Sequence, residues 1–195
     1  MVSELFPSHE RRGKSIIKMM NKPNWRPVAL TLTVAGACAR LLPHAPNFAP
    51  VGAVSVFAGA RLPTWQAYAI PMAIMALTDP LLNIMKGYPA FSWYQVFTYV
   101  SFLISVWIGR RLVNTENAWR IGGAVLASSV QFFIITNVAS WLYDYPHTLS
   151  GLGACYVAAI PFFERSVLGD FFFTGVLFGL YAVLTRTIAP REQIA

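Results

Sequence analysis

The chain has 195 residues, of which 56% are hydrophobic and only 12% are charged. Soluble domains carry about 25% charged residues, so this composition indicates an integral membrane protein and excludes an ordinary soluble domain. The formal net charge is +7, but the basic residues are spread between apolar runs. We therefore do not expect nucleic acid to be a partner.

Six apolar runs, separated by polar residues, proline or glycine, predict an all-α integral membrane bundle of six transmembrane helices. A bilayer core of about 30 Å requires about 20 helical residues. The first two runs are shorter than that, and we expect the second to be a tilted or broken helix that packs inside the protein. The runs cover residues 27–42, 47–60, 66–85, 93–109, 121–143 and 167–185.

A seventh apolar stretch, residues 152–163, is too short to be a span. Because glycine and proline residues flank and interrupt it, we expect a short interfacial or re-entrant segment before the last helix. The chain then divides into a basic cytoplasmic tail (1–26), a six-helix membrane domain (27–186) and a C-terminal cytoplasmic tail (187–195).

The distribution of basic residues supports six spans with both termini in the cytoplasm. Cytoplasmic loops are enriched in Lys and Arg. With this orientation, only Arg40, Lys86 and Arg165 of the 15 basic residues lie outside. Removing one span would move later basic residues to the outside, so the charge distribution favours the six-span count.

The stretch RLLPHAPNFAPVGAVSVFAGA, residues 40–60, joins the first two runs. Proline fixes φ and removes an N–H donor, so its three prolines predict a shaped, extended loop where a helix would otherwise continue. Such a loop can place His44 and Asn47 across the mouth of a cavity. The alternative is a stiff connector in which a buried Asn47 satisfies backbone groups.

Polar residues inside the predicted spans are the strongest candidates for a binding site. Each of them costs energy in lipid and normally faces a cavity or a partner. On the predicted topology, Asp79, Asn83, Asn137 and Asp170 fall in the outer halves of their helices. We expect these side chains to converge on a solute.

Other roles for the two aspartates stay open. Each could have a structural role, for instance Asp170 paired with Arg40 or Arg165. Two carboxylates could instead supply the acid and base of an integral membrane enzyme that uses Asp79 or Asp170. That reaction requires a separation between them that the sequence does not show.

Aromatic and polar residues between the fifth and the last span form a second layer of the predicted site. They could wall a pocket for a flat organic ligand, or belong to the aromatic belt at the membrane boundary. Together with the loop and the spans, the predicted solute site comprises His44, Asn47, Asp79, Asn83, Asn137, Trp141, Tyr145, His147, Tyr156 and Asp170.

We expect no cofactor, metal or ATP site in this chain. The two outer histidines, with Asp144 and Cys155, lack the spacing of a metal site. The letters GKS at residues 13–15 match the end of a phosphate-binding loop, but Ser8 occupies the position where a glycine is required. The chain is therefore not expected to hydrolyse ATP itself.

Two long stretches carry a resemblance to a known family: residues 40–60, quoted above, and TNVASWLYDYPHTLSGLGACYVAAIPFFERSVLGDFFFTGVLFG, residues 136–179. Over roughly residues 27–186 the chain resembles a bacterial family of proposed transport proteins related to the substrate-binding S components of energy-coupling factor (ECF) transporters. The resemblance implies a six-helix S-component fold in the bacterial inner membrane, with cytoplasmic termini and a pocket open to the outside. It also implies capture of a vitamin-like or cofactor-precursor solute, which a transmembrane coupling protein and two ATPases help to import.

The resemblance also implies a docking surface. In S components the coupling protein packs on a small-xxx-small pattern in the first helix, and Ala35 and Ala39 match that pattern here. The start MVSELF lacks the N-terminal metal-binding histidine of nickel and cobalt S components, so a bare metal ion is not the expected solute. Three hypotheses remain: a solute-binding transport subunit that is not an enzyme, an integral membrane enzyme using Asp79 or Asp170, and a membrane scaffold without a ligand.

Overall fold

Six α-helices and one short 3₁₀ helix make up the computed structural model of the protein, which describes residues 24–43 and 45–188. No strand occurs within these two ranges, which confirms the all-α prediction. The 3₁₀ helix (Ala39–Leu41) directly follows the first α-helix. The α-helices are α1 (Arg26–Cys38), α2 (Val51–Arg61), α3 (Thr64–Met85), α4 (Tyr94–Arg110), α5 (Ala118–Asp144) and α6 (Leu149–Ile188).

Three of the helices, α3, α5 and α6, are long and apolar enough to cross a membrane. Their outward faces carry large apolar side chains: the exposed fraction of Leu77 is 78% and that of Leu168 is 64%. A helix on the surface of a soluble bundle would place polar side chains there. The fold therefore agrees with the membrane protein expected from the composition.

The short helix α2 lies at the centre of the bundle and packs against the five other α-helices. Every residue from 53 to 60 is buried, which confirms the expectation of a short helix packed inside the protein. A helix of 11 residues is about 17 Å long, roughly half the thickness of a bilayer core. Its terminal backbone groups therefore need polar partners within the bundle.

Glycines allow α2 and α4 to pack backbone against backbone. A Cβ atom on Gly59 would lie 2.2 Å from a carbonyl oxygen of α4, and one on Gly109 would lie 2.2 Å from a carbonyl oxygen of α2. Next to this contact, Phe57 packs edge-on against Phe178 of α6, with 5.1 Å between the ring centroids. This packing fixes the position of α2, and with it the positions of its two ends.

The prediction that residues 152–163 form a separate interfacial or re-entrant segment is wrong. These residues belong to α6, a continuous helix of 40 residues that includes Pro161. Gly151 does not break the helix: its N–H donates to the Thr148 hydroxyl at 3.0 Å, and the nearby Pro146 carbonyl leaves no room for a Cβ. At 1.5 Å per residue, α6 is about 60 Å long, about twice the thickness of a bilayer core.

Candidate functional site

A cavity of about 210 Å³ lies at the N-terminal end of α2. Of the predicted solute residues, Asn47, Asp79 and Asp170 line it, and Arg40 lies beside them. Serine and threonine hydroxyls and the side chains of Met75, Phe102 and Phe132 complete the lining. The cavity thus combines charged, hydrogen-bonding and apolar surfaces in a small volume.

A buried ion pair between Arg40 and Asp79 forms one wall of the cavity. Nη2 of Arg40 is 2.6 Å from Oδ1 of Asp79, and the exposed fractions of the two side chains are 16% and 9%. Nη1 of Arg40 also donates to the Thr78 hydroxyl at 3.3 Å. Removing two charges from water is costly unless they remain paired, so this contact ties the 3₁₀ helix that follows α1 to α3.

Asp170 of α6 has a different role at the opposite wall. Its Oδ2 accepts a hydrogen bond from the Ser129 hydroxyl at 2.7 Å, and the carboxylate lies against the first turn of α2, where a Cβ atom on Gly52 would be 2.3 Å from Oδ1. The first turn of a helix has unpaired N–H groups and a partial positive charge. Asp170 therefore caps α2, and Arg40, which we considered as its partner, is bound to Asp79 instead.

The loop between α1 and α2 contributes Asn47 and Ala49 to the lining of the cavity. Phe48 packs on Phe172 and Phe173 of α6, with ring centroids 5.7 and 5.5 Å away. Asn47 has a φ of 63°, and its side chain is exposed at the cavity. The alternative of a buried Asn47 is therefore wrong, while His44 lies outside the described residues.

A second cavity, of about 290 Å³, adjoins the first and shares Asn47, Phe132 and Ser166 with it. Asn137, a predicted site residue, lines this second space. The side-chain amide of Asn137 donates to the Phe133 carbonyl at 2.7 Å, which holds the side chain against its own helix. Four of the predicted solute residues therefore line one or both of two adjoining cavities.

Among the described residues, five further predicted ones do not line either cavity, and most of them make other contacts. Asn83 donates to the Ala90 carbonyl at 3.2 Å, and Tyr145 follows the end of α5. The other three side chains make hydrogen bonds to backbone carbonyls where α5 and α6 meet. Trp141 Nε1 bonds to the Pro146 carbonyl at 3.0 Å and His147 Nε2 to the Leu142 carbonyl at 3.0 Å. The Tyr156 hydroxyl donates to the Ile134 carbonyl at 2.8 Å. A part for these five residues in solute binding stays a prediction.

The sequence profile of a family of unknown function, DUF6580, matches residues 21–192, nearly the whole chain. The chain belongs to the DUF6580 family. No curated protein and no solved structure matches it.

In this DUF6580 protein, two serines beside the cavity, Ser105 and Ser128, were not predicted from the sequence, and they form a hydrogen-bond network with Gln131. The Ser128 hydroxyl donates to the Ser105 hydroxyl at 2.7 Å, and Gln131 Nε2 donates to the same Ser105 hydroxyl at 3.0 Å. These contacts join α5 to α4. Serine in a helix often bonds to the carbonyl four residues earlier, so a serine within an apolar run is a weak signal on its own.

The predicted docking residues of the DUF6580 protein lie on and just after α1. Ala35 is exposed on the outward face, and Ala39 is half-buried in the 3₁₀ turn. Gly36 faces inward, where an added Cβ would lie 2.8 Å from a Val54 methyl group. The helix thus packs small residues, among them Gly36 and Ala37, against the core, while Ala35 remains accessible from outside the bundle.

Proposed function

We propose that this DUF6580 protein is the membrane-embedded solute-binding subunit of an ECF-type importer, capturing a vitamin-like or cofactor-precursor molecule from outside. The observation that carries the proposal is the cavity at the N-terminal end of α2, where the Arg40–Asp79 pair, Asp170 and Asn47 meet. Charged residues inside membrane helices usually mark a solute site or pathway. The resemblance to S components supports the same assignment.

In the proposed topology the chain crosses the bacterial inner membrane six times, with both termini in the cytoplasm. The two ends of α2 differ in charge: Arg61 and Arg110 lie at its C-terminal end, whereas the cavity lies at its N-terminal end. Because basic residues are retained on the cytoplasmic side, the cavity then faces outward. This is the side from which an importer receives its solute.

The volume of the cavity bears on the size of the solute. At about 210 Å³, it lies below the range of about 300–1,000 Å³ that is usual for pockets of drug-sized ligands. The adjoining space of about 290 Å³ can receive a further part of the molecule. We therefore propose a compact solute with hydrogen-bonding groups, whose apolar face packs on Phe102 and Phe132.

The contacts of the two aspartates disfavour the enzyme hypothesis. Asp79 is held in an ion pair with Arg40, and Asp170 caps α2 while accepting a hydrogen bond from Ser129. A general acid or base must reach a reacting atom directly or through one water, and both carboxylates already have protein partners. We propose binding and transport without catalysis, with energy supplied by an ECF coupling protein and its ATPases.

Native mass spectrometry of the purified full-length protein tests the proposal. We expect the wild type to carry a small molecule, and Asn47→Gly to lower its occupancy severalfold. Glycine adopts positive φ readily, so this change removes the side chain without straining the loop. Asn114→Gly is the matched control, because Asn114 has a φ of 62° but lies at the other end of α2.

Two results would contradict the proposed function. One is a wild-type protein that carries no small molecule after mild extraction from its own membrane. The other is an equal loss of the bound molecule in Asn47→Gly and Asn114→Gly, because the loss would then not depend on the cavity. An empty protein would favour the scaffold hypothesis.

A further inference from the structure

A further pocket, of about 500 Å³, lies at the C-terminal end of α2. It is separate from the two adjoining cavities described above, which share none of its lining residues. Three arginines from different elements line it: Arg26 at the start of α1, Arg61 at the end of α2 and Arg110 at the end of α4. Glu116 and Tyr181 also contribute to the lining. The pocket thus gathers basic residues that are far apart in the chain.

The guanidinium groups of Arg61 and Arg110 are fixed by backbone carbonyls. Arg61 donates to the Thr115 carbonyl at 2.7 Å and to the Leu112 carbonyl at 3.2 Å. Arg110 donates to the Leu62 carbonyl at 2.9 Å and to the Gly59 carbonyl at 3.3 Å. The C-terminal end of a helix carries a partial negative charge, so these contacts place both cations there.

Arg61 is further held by aromatic rings, and one of its donors remains unused. Its guanidinium carbon lies 5.0 Å from the ring centroid of Phe178 and 5.3 Å from that of Tyr181. Within the described part of the chain, its Nε is buried and has no hydrogen-bond partner. A buried donor without an acceptor is costly, and this unsatisfied donor belongs to a residue that lines the pocket.

The charges of the pocket are not balanced by the residues that line it. Glu116 is the one carboxylate among these lining residues, and it pairs with Arg186, with 3.3 Å between Arg186 Nη2 and Glu116 Oε2. Three arginines against this one shared carboxylate leave an excess of positive charge. The pocket is therefore suited to an anion.

We propose that this arginine pocket binds a phosphate-bearing anion. Guanidinium groups match phosphate geometry through paired N–H donors, and Tyr181 also lines the pocket. The phosphate could belong to the head group of an anionic phospholipid or to a soluble phosphate. Basic pockets between membrane helices on the cytoplasmic side are known to bind lipid head groups, and this site does not depend on the proposed solute.

The experiment uses the full-length protein with two kinds of probe. Native mass spectrometry would measure retention of phosphatidylglycerol against phosphatidylcholine, and calorimetry would measure binding of inorganic phosphate and pyrophosphate. Arg26→Gln is the main variant, because Arg26 is exposed and the carbonyl contacts of the other two arginines remain. Arg120→Gln is the matched control, because Arg120 is also exposed, near the start of α5, and does not line the pocket.

We expect Arg26→Gln to weaken anion binding about fivefold, in keeping with the effect of one basic residue near a charged membrane surface, while Arg120→Gln binds as the wild type does. Preferential retention of phosphatidylglycerol would assign the site to lipid, and binding of phosphate or pyrophosphate to a soluble anion. The proposal is overturned if phosphatidylglycerol is retained no better than phosphatidylcholine and neither phosphate nor pyrophosphate binds. It is also overturned if Arg120→Gln weakens binding as much as Arg26→Gln.

Discussion

The carboxylate of Asp170 lies directly against Gly52 at the first turn of α2. A Cβ atom on residue 52 would be 2.3 Å from Oδ1 of Asp170, so no larger residue fits without moving the carboxylate. The glycine lets the carboxylate of Asp170 approach the first turn of α2, where the backbone N–H groups are unpaired and the helix carries a partial positive charge. One small residue therefore determines both the capping of α2 and the shape of the cavity.

We predict that Gly52→Ala destabilises the protein by about 1–3 kcal/mol, the usual cost of inserting an extra methyl group into a packed site. The new Cβ would displace Asp170 and leave the first turn of α2 without its acceptor. Unfolding in detergent, followed by circular dichroism, measures the change. Gly175→Ala on α6 is the control: nothing lies within 4 Å of the added Cβ, so its free energy of unfolding should stay the same or rise.

We predict that Asp79→Asn and Arg40→Met are each more destabilising than the two changes combined. Removing one partner of a largely buried ion pair costs up to about 3–5 kcal/mol, because the remaining group loses the opposite charge that offset its desolvation. The exposed pair of Arg186 and Glu116 is the control, since Glu116→Gln should cost less than about 1 kcal/mol. Additive effects of the Asp79 and Arg40 changes would show that the pair does not stabilise the cavity wall.

Composition and apolar spacing were sufficient to predict the all-α class and the burial of α2. They were insufficient at residues 152–163, where Gly151 and Pro161 suggested a break in the helix. The fold instead uses Gly151 for a close approach to the Pro146 carbonyl, and α6 continues through Pro161. Whether a glycine ends a helix or allows a close contact depends on tertiary neighbours, which a single sequence does not show.

Two residues that line the cavity at the N-terminal end of α2 were predictable, because a charged residue within an apolar run is costly and usually faces a cavity or a partner. Asp79 and Asp170 were found for that reason, and Asn47 because the prolines predict a loop. Trp141, His147 and Tyr156 were included because they lie near the same membrane face, but their polar atoms bond to nearby carbonyls. Position at a membrane boundary does not tell whether a side chain faces a cavity or its own helix junction.

We predict the topology by reporter fusions. Fusions after Arg111 and at the C-terminus should report the cytoplasm, and fusions at Lys86 and at His147 should report the outside, because most basic residues are then retained in the cytoplasm. Alkaline phosphatase and green fluorescent protein give opposite signals on the two sides, so each position is checked twice. An external C-terminus would contradict the six-span proposal.

We predict that replacing Ala35 and Ala39 with Leu prevents a coupling protein from docking while solute binding persists. Ala35 is exposed, so added bulk there should be tolerated by the isolated protein. Helix association in lipid depends on close packing rather than on a hydrophobic driving force, so the larger side chains would hold the partner helix away. Pull-down of a co-expressed coupling protein and retention of the bound molecule are measured on the same sample.

Ala76→Leu is the matched control for the double variant, because Ala76 is an exposed alanine on α3 outside the predicted docking face. It should leave both docking and solute binding unchanged. Asn47→Gly should show the reverse of the double Leu variant, with weaker solute binding and an intact complex. If the double Leu variant loses solute and partner together, α1 supports the fold of the bundle; if it keeps its partner, the coupling protein docks on another surface. The conclusion that the coupling protein docks on Ala35 and Ala39 therefore requires that the double Leu variant lose its partner and keep its solute. Only that result distinguishes a surface contact from a packing defect.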